Sequence, residues 1–79
     1  MTISGIVVAC RPKHTTEVCE AVNALSWAQV HHTDRHGRLV VTIEAAGTDE
    51  SMDRLKQLQG LGNVIMAELA GYYVGEEDR

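Results

Sequence analysis

Residues 37–45 read Gly-Arg-Leu-Val-Val-Thr-Ile-Glu-Ala, and this stretch contains the clearest predicted strand of the chain. β-Branched residues fill it, and a glycine of the kind found in turns opens it. Its side chains alternate between two sets, Leu39, Val41 and Ile43 in one and Val40, Thr42 and Glu44 in the other. A period of two is typical of a strand with one buried face. One face is therefore fully apolar, and the other is mixed and ends in a carboxylate.

Three other strands are predicted around this one. Short runs rich in apolar and β-branched residues indicate strands over residues 3–10, 27–34 and 64–73. Asp34-Arg35-His36-Gly37 reads as a hairpin turn, in which the glycine supplies a positive φ. The strand of residues 27–34 therefore pairs with the strand that follows the turn.

Two amphipathic helices separate the strands. The first is predicted from Pro12 to Ser26, because proline suits a first helical turn and Val18, Val22 and Leu25 form one apolar stripe. The second begins near Thr48, a plausible N-cap followed by acidic residues, and runs to about Gln59. Its predicted buried stripe consists of Met52, Leu55 and Leu58. Glycines at positions 60 and 62 end it.

The element order βαββαβ predicts an α+β fold of the ferredoxin-like type. Two β-α-β halves with right-handed crossovers give a four-stranded sheet in the order 4-1-3-2, with both helices on one face. We expect residues 1–74 to form a single domain of this type and residues 75–79 to form a flexible acidic tail. At 79 residues the chain buries only about 60 to 65% of its unfolded surface, so a deep enclosed active site is not expected.

The sheet face without helices, called here the open face, is the predicted working surface. Strand alternation assigns to it Gly5, Val7, Ala9, Gln29, His31, Thr33, Val40, Thr42, Glu44, Met66 and Glu68, while Ile65, Ala67 and Leu69 are assigned to the core. The result is a shallow, partly apolar surface with two carboxylates. Periodicity alone leaves three occupants open: an amphipathic cationic peptide, a second copy of the chain, or water.

Composition argues against several other functions. The net charge of −4 and the absence of phenylalanine disfavour nucleic acid, which requires cationic groups and stacking aromatics. No stretch has the length of a membrane span, and the start of the chain lacks a signal-peptide pattern, so we expect a cytoplasmic protein without membrane insertion. Cys10 and Cys19 read as two reduced thiols.

Catalytic and metal sites are likewise not predicted. His31 and His32 are adjacent, and on a regular strand they would point to opposite faces and could not share a metal. The sequence contains no nucleophile–base pair and no glycine-rich phosphate loop. We therefore expect a protein that is not an enzyme and that needs no cofactor.

With these elements in place, the sequence resembles the NapD family. The resemblance lies in Ile3-Ser-Gly-Ile-Val-Val, the Asp34–Gly37 hairpin, residues 37–45, and Val64–Leu69 followed by a tyrosine-bearing acidic C-terminus. One departure is the segment Leu69-Ala-Gly-Tyr-Tyr, where the family more usually has Leu-Val-Tyr-His. The resemblance implies a cytoplasmic maturation chaperone for the catalytic subunit of the periplasmic nitrate reductase.

The resemblance also implies the partner, which is the twin-arginine signal peptide of the nitrate reductase precursor. Holding this peptide would delay export until the molybdenum cofactor is inserted. We predict that it binds through Gly5, Val7, Ala9, His31, Val40, Thr42, Glu44, Met66 and Glu68. The alternative is a small-ligand-sensing regulatory domain of the same βαββαβ topology that acts as a dimer, and a homo-oligomer is possible under either interpretation.

Overall fold

The computed structural model describes the backbone of residues 1–74 and the side chains of residues 1–71. Its elements are β1 (Thr2–Cys10), a 3₁₀ turn (Pro12–His14), α1 (Thr15–Asn23), β2 (Ala28–Thr33), β3 (Arg38–Ala45), α2 (Thr48–Gln59) and β4 (Val64–Val74). The predicted acidic tail, residues 75–79, lies outside this range.

The four strands form one sheet in the order β2-β3-β1-β4, which confirms the predicted order and the ferredoxin-like α+β fold. β1 is central and pairs antiparallel with both β3 and β4. β2 and β3 are the arms of the predicted hairpin. Each crossover carries one helix, so both helices cover one face of the sheet and leave the other face open.

The core lies between the helices and the covered face of the sheet. β1 and β3 contribute alternate residues to it, and α1 and α2 contribute one stripe each. The predicted apolar face of β3 is confirmed, because Leu39, Val41 and Ile43 are all buried. The buried hydrophobic residues of the core cluster are Ile6, Val8, Cys10, Val18, Val22, Leu39, Val41, Ile43, Leu55, Leu58 and Ala67. Cys10 is buried, Cys19 is partly buried, and both are free thiols.

The first helix is shorter than predicted. A 3₁₀ turn precedes it and α1 ends at Asn23, whose side-chain Oδ1 accepts a hydrogen bond from the backbone N–H of Val30 at 3.0 Å. This bond links the end of α1 to β2, and the chain leaves the helix at residue 24. Leu25 therefore packs against the core from a loop, as a partly buried residue outside the helix.

The predicted stripe of α2 is wrong at one position. Leu55 and Leu58 are buried, but Met52 is 47% exposed and Ser51 is 5% exposed. The Ser51 hydroxyl lies 2.9 Å from the Thr2 hydroxyl, which also donates to the carbonyl of Ala45. This polar contact joins the first turn of α2 to the ends of β1 and β3, so a serine occupies the inward position there.

The last strand contains two irregularities that the alternation does not predict. Cys10 pairs with Val64 and Ala9 pairs with Met66, so Ile65 is an extra residue in a β-bulge. The assignment of Ile65 to the core is wrong: it is 68% exposed, because Val64 occupies the position beside Cys10. Ala67 is buried as predicted. A second register shift between Leu69 and Gly71 leaves Leu69 on the helix side but 49% exposed.

The hairpin between β2 and β3 is held by backbone geometry and by one carboxylate. Asp34 Oδ1 accepts hydrogen bonds from the N–H groups of His36 and Arg38, at 2.8 and 3.0 Å. The bond from Arg38 is the main cause that lowers the pKa of Asp34 below its usual value. Gly37 has φ of +90°, and its carbonyl accepts a 2.8 Å bond from the N–H of Cys10.

We predict that Gly37→Ala strongly destabilises the domain. A Cβ at this position would lie 2.0 Å from the carbonyl oxygen of Cys10, in addition to the unfavourable positive φ. The free energy of unfolding, measured by urea denaturation, should fall by about 2 kcal/mol or more. Gly60→Ala is the matched control, since its Cβ would meet its nearest atoms at 3.6 Å or more. Equal denaturation midpoints for the two variants would contradict this prediction.

Candidate functional site

The open face brings together all nine residues of the predicted peptide-binding set. Strand register places Val40 beside Val7, Thr42 beside Gly5, and Glu44 beside Ile3. On the other side of β1, Met66 pairs with Ala9 and Glu68 pairs with Val7. His31 joins this face through a 2.7 Å hydrogen bond between its Nε2 and the hydroxyl of Thr42. Whether these residues contact a peptide stays a prediction.

The floor of the open face is low because β1 presents small side chains there. Gly5 lies between Thr42 on β3 and Gly71 on β4, so two glycines face each other near the centre of the sheet. A Cβ built at Gly5 would meet Gly71 no closer than 3.7 Å, which is ordinary contact. Val40 and Met66, which are 45% and 36% exposed, flank the floor at the other end. The surface is a shallow apolar trough along β1.

Two exposed carboxylates stand at different points along this trough. Glu44 lies on β3 opposite Ile3, and Glu68 lies on β4 opposite Val7. The two glutamates are separated by four residues along the strand direction and by two strand spacings across the sheet. Their Cα atoms are therefore about 17 Å apart. One guanidinium is too small to reach both, but two long cationic side chains on one ligand can each reach one.

The backbone at Glu44 is fixed by neighbouring elements. Its N–H donates to the carbonyl of Trp27 at 2.9 Å, and its carbonyl accepts a hydrogen bond from Arg54 on α2. The Arg54 guanidinium also lies 5.2 Å from the centre of the Trp27 ring and 3.6 Å from the carboxylate of Glu50. The loop before β2 and helix α2 thus hold the end of β3 in place, while the Glu44 side chain extends into solvent.

The assignment of the second strand is wrong after His31. β2 pairs Val30 with Val41 and His32 with Val40, so His31 is an extra residue in a bulge. The shift puts Thr33 beside the core residue Leu39, on the helix side, whereas regular alternation predicts it on the open face. His31 and His32 therefore both belong to the open face, contrary to the premise that they point to opposite faces. Within the described residues, no group of three His, Cys, Asp or Glu side chains could hold a metal ion.

A second concave surface lies on the helix side and was missed by sequence reasoning. This cleft of about 350 Å³ opens between α2 and the sheet, where Met52 and Leu69 are half exposed. Its described lining residues are Ser4, Ile6, Ile43, Thr48, Ser51, Met52, Leu55 and Leu69. The hydroxyl of Ser4 is buried there and has no hydrogen-bond partner among the described side chains and backbone groups. Ser4 was the available signal, because the alternation along β1 puts this small polar residue on the same face as Ile6 and Val8.

Comparison with known proteins identifies the family. The family model described as NapD protein matches residues 1–75, almost the whole chain. The chain belongs to the NapD family. Among curated proteins, none matches the sequence significantly. Membership of the NapD family agrees with the resemblance found in the strand and hairpin sequences.

A solved structure supports the fold. The solution structure of the E. coli Tat proofreading chaperone protein NapD is similar to this chain with a TM-score of 0.82. The two share 20% sequence identity, and the similarity covers 98% of this chain and 81% of that one. At this identity the likeness establishes the common NapD fold. Within residues 1–74, no helix is long and apolar enough to cross a membrane.

Proposed function

We propose that this protein is a cytoplasmic chaperone that binds the twin-arginine signal peptide of the periplasmic nitrate reductase precursor. Binding holds back export until the molybdenum cofactor has been inserted into the precursor. The observation that carries this proposal is the open face, where a low apolar trough lies beside the exposed carboxylates of Glu44 and Glu68. Membership of the NapD family and the description of the similar E. coli protein as a Tat proofreading chaperone support it.

The two carboxylates suit a pair of adjacent arginines. A guanidinium forms charge-assisted hydrogen bonds to a carboxylate, which are stronger than bonds between neutral groups. The separation of about 17 Å between the two glutamates lets neighbouring arginines spread towards different partners. The protein's negative charge of −4 adds a general attraction for a cationic peptide.

The trough suits the apolar segment that follows the arginines in a signal peptide. Gly5, Val7 and Ala9 form a floor on which an apolar side chain can lie without displacing protein atoms. Val40 and Met66 are already exposed, so covering them removes apolar surface from water. The free energy gained by burying this apolar surface does not depend on the arginines. The arginine pair and the apolar segment therefore contribute separately to the affinity of the peptide.

The chaperone must also release its peptide. A shallow sheet face that no loop within residues 1–74 encloses favours reversible capture, because the bound peptide keeps one side in solvent. We expect submicromolar affinity, roughly −8 to −10 kcal/mol. In this mechanism the cofactor enters the precursor while the peptide is held, and the open face contacts only the peptide.

We predict that Glu44→Lys weakens the binding of a synthetic twin-arginine peptide. The substitution replaces an attractive charge by a repulsive one at an exposed position, so the dissociation constant should rise roughly tenfold to a hundredfold. The thermal midpoint should hardly change, since the side chain is exposed. Isothermal titration calorimetry measures the affinity, and calorimetric melting checks the fold.

Glu20→Lys is the matched control for this experiment. It makes the same change of charge at an exposed position of α1, away from the open face, and should leave the affinity almost unchanged. A peptide with two lysines in place of the arginines should bind the unaltered protein more weakly, because lysine cannot form the two-pronged guanidinium contact. Equal losses for both protein variants would show that only net charge matters, and no loss for Glu44→Lys would contradict the role of this residue.

We also predict that Gly5→Val blocks the trough without destabilising the fold. The new Cβ would be in ordinary contact with Gly71, and valine is favoured in strands. Peptide affinity should fall about tenfold or more, since the branched side chain fills the lowest part of the floor. Gly62→Val, at a loop position where an added Cβ would have no atom within 4 Å, should bind normally. Unchanged binding by Gly5→Val would place the peptide elsewhere.

A further inference from the structure

The charges of the molecule are separated along the strand direction. At one end, β1 begins, β3 finishes and α2 starts, which brings together the acidic residues Glu44, Asp49 and Glu50. We call this the Glu44 end. At the other end, β1 finishes, β3 begins and the hairpin turns. The cationic residues at this hairpin end are Arg11, Lys13, Arg35 and Arg38.

Charges of the opposite sign also lie at each end, namely the Met1 amino terminus and Arg54 near Glu44, and Glu17 and Asp34 at the hairpin end. The guanidinium of Arg54, which lies at the Glu44 end, contacts the carboxylate of Glu50, the Glu44 carbonyl and the Trp27 ring. It is therefore held at the α2 side of β3. At the hairpin end, Asp34 directs its Oδ1 to backbone N–H groups of the turn. Because Asp49 and Glu50 belong to α2 on the helix side, the open face itself has the Glu44 carboxylate at its acidic end and the Arg38 guanidinium at its basic end.

Apolar exposure is also uneven along the open face. Among the described open-face residues that pair in the sheet, the exposed large hydrophobic side chains are Val40 and Met66, and both lie in the half that includes the hairpin end. In the half near Glu44, the described open-face residues around Gly5 are Ile3, which is half-buried, Thr42 and Gly71. Glu68 lies between the two halves, opposite Val7.

We infer that a signal peptide binds the open face in one direction, with its arginine pair towards Glu44 and its chain running parallel to β1 towards the hairpin. This inference rests on the proposed function. In a signal peptide the cationic segment precedes the apolar segment, so the order of the peptide matches the order of the face only in this direction. In the opposite direction the arginines would lie beside Arg38, and the apolar segment would cover the glutamates.

The direction also gives the basic end a role. A peptide bound in this way presents its carboxyl-terminal portion to Arg38 and to the nearby cations of the hairpin end. The backbone carbonyl groups at that end of the bound segment are hydrogen-bond acceptors, which suit guanidinium donors. The basic end at the same time repels the arginine pair, and this repulsion works against the reversed arrangement.

Nitroxide-labelled peptides test the direction. One peptide carries the spin label just before the arginine pair and another carries it just after the apolar segment, and each is added to the isotopically labelled full chain. The first label should broaden the NMR signals of Ile3 and Glu44, and the second should broaden those of Ala9 and Met66. These two groups of residues lie about 20 Å apart along the strands, so their signals report different ends.

The alternative outcomes are distinct. The reverse pattern, or equal broadening at both ends by each label, would overturn the inferred direction while leaving peptide binding intact. Calorimetry with the same labelled peptides reports binding independently. An absence of binding would overturn the proposed function, and the direction with it. Broadening confined to the cleft residues Met52 and Leu55 would also overturn both, because the peptide would then occupy the helix side.

Discussion

The antiparallel pairing of β1 with β3 is the constraint on which the rest of the structure depends. Its register sets Ile6 beside Val41 on the covered face and Val7 beside Val40 on the open face. Since side chains alternate along a regular strand, a slip of β3 by one residue would move its inward residues Leu39, Val41 and Ile43 to the open face. The pairing that builds the core therefore also determines which residues the open face presents. Further contacts lie at the two ends of this pairing. The Cys10 N–H donates to the Gly37 carbonyl at the hairpin end, and the hydroxyls of Thr2 and Ser51 are in contact at the Glu44 end.

The same constraint determines the shape of the open face. The two helices cover one face of the sheet, and residues 1–74 contain no further helix or strand that covers the other face. The side chains left there come from several strands and point into solvent. They form a broad, shallow surface, and its charges at Glu44, Glu68 and Arg38 lie along its length.

Much of this arrangement could be predicted from the sequence, since β1 and β3 follow the period of two closely. The apolar face of β3 and the open-face residues of β1 and β3 follow from that period, and the order of strands follows from the βαββαβ succession with right-handed crossovers. The bulges at His31 and Ile65 could not be predicted, because an extra residue in one strand depends on its pairing with a neighbour. The sequence also did not show that Ser51, and not Met52, faces the core, because this too depends on a contact with a distant part of the chain. Its contact with Thr2 joins residues 49 positions apart in the chain.

The most direct test of the central claim is to find which methyl groups a twin-arginine signal peptide perturbs. Methyl NMR of the full chain distinguishes the two faces, because Val7 and Val40 belong to the open face and Val18 and Val22 are buried under the helices. If the open face captures the peptide, titration should shift the methyl signals of Val7, Val40 and Met66 and leave those of the two α1 valines almost unchanged. Shifts confined to Met52, Leu55 and Leu69 would contradict it and assign the peptide to the cleft beside α2.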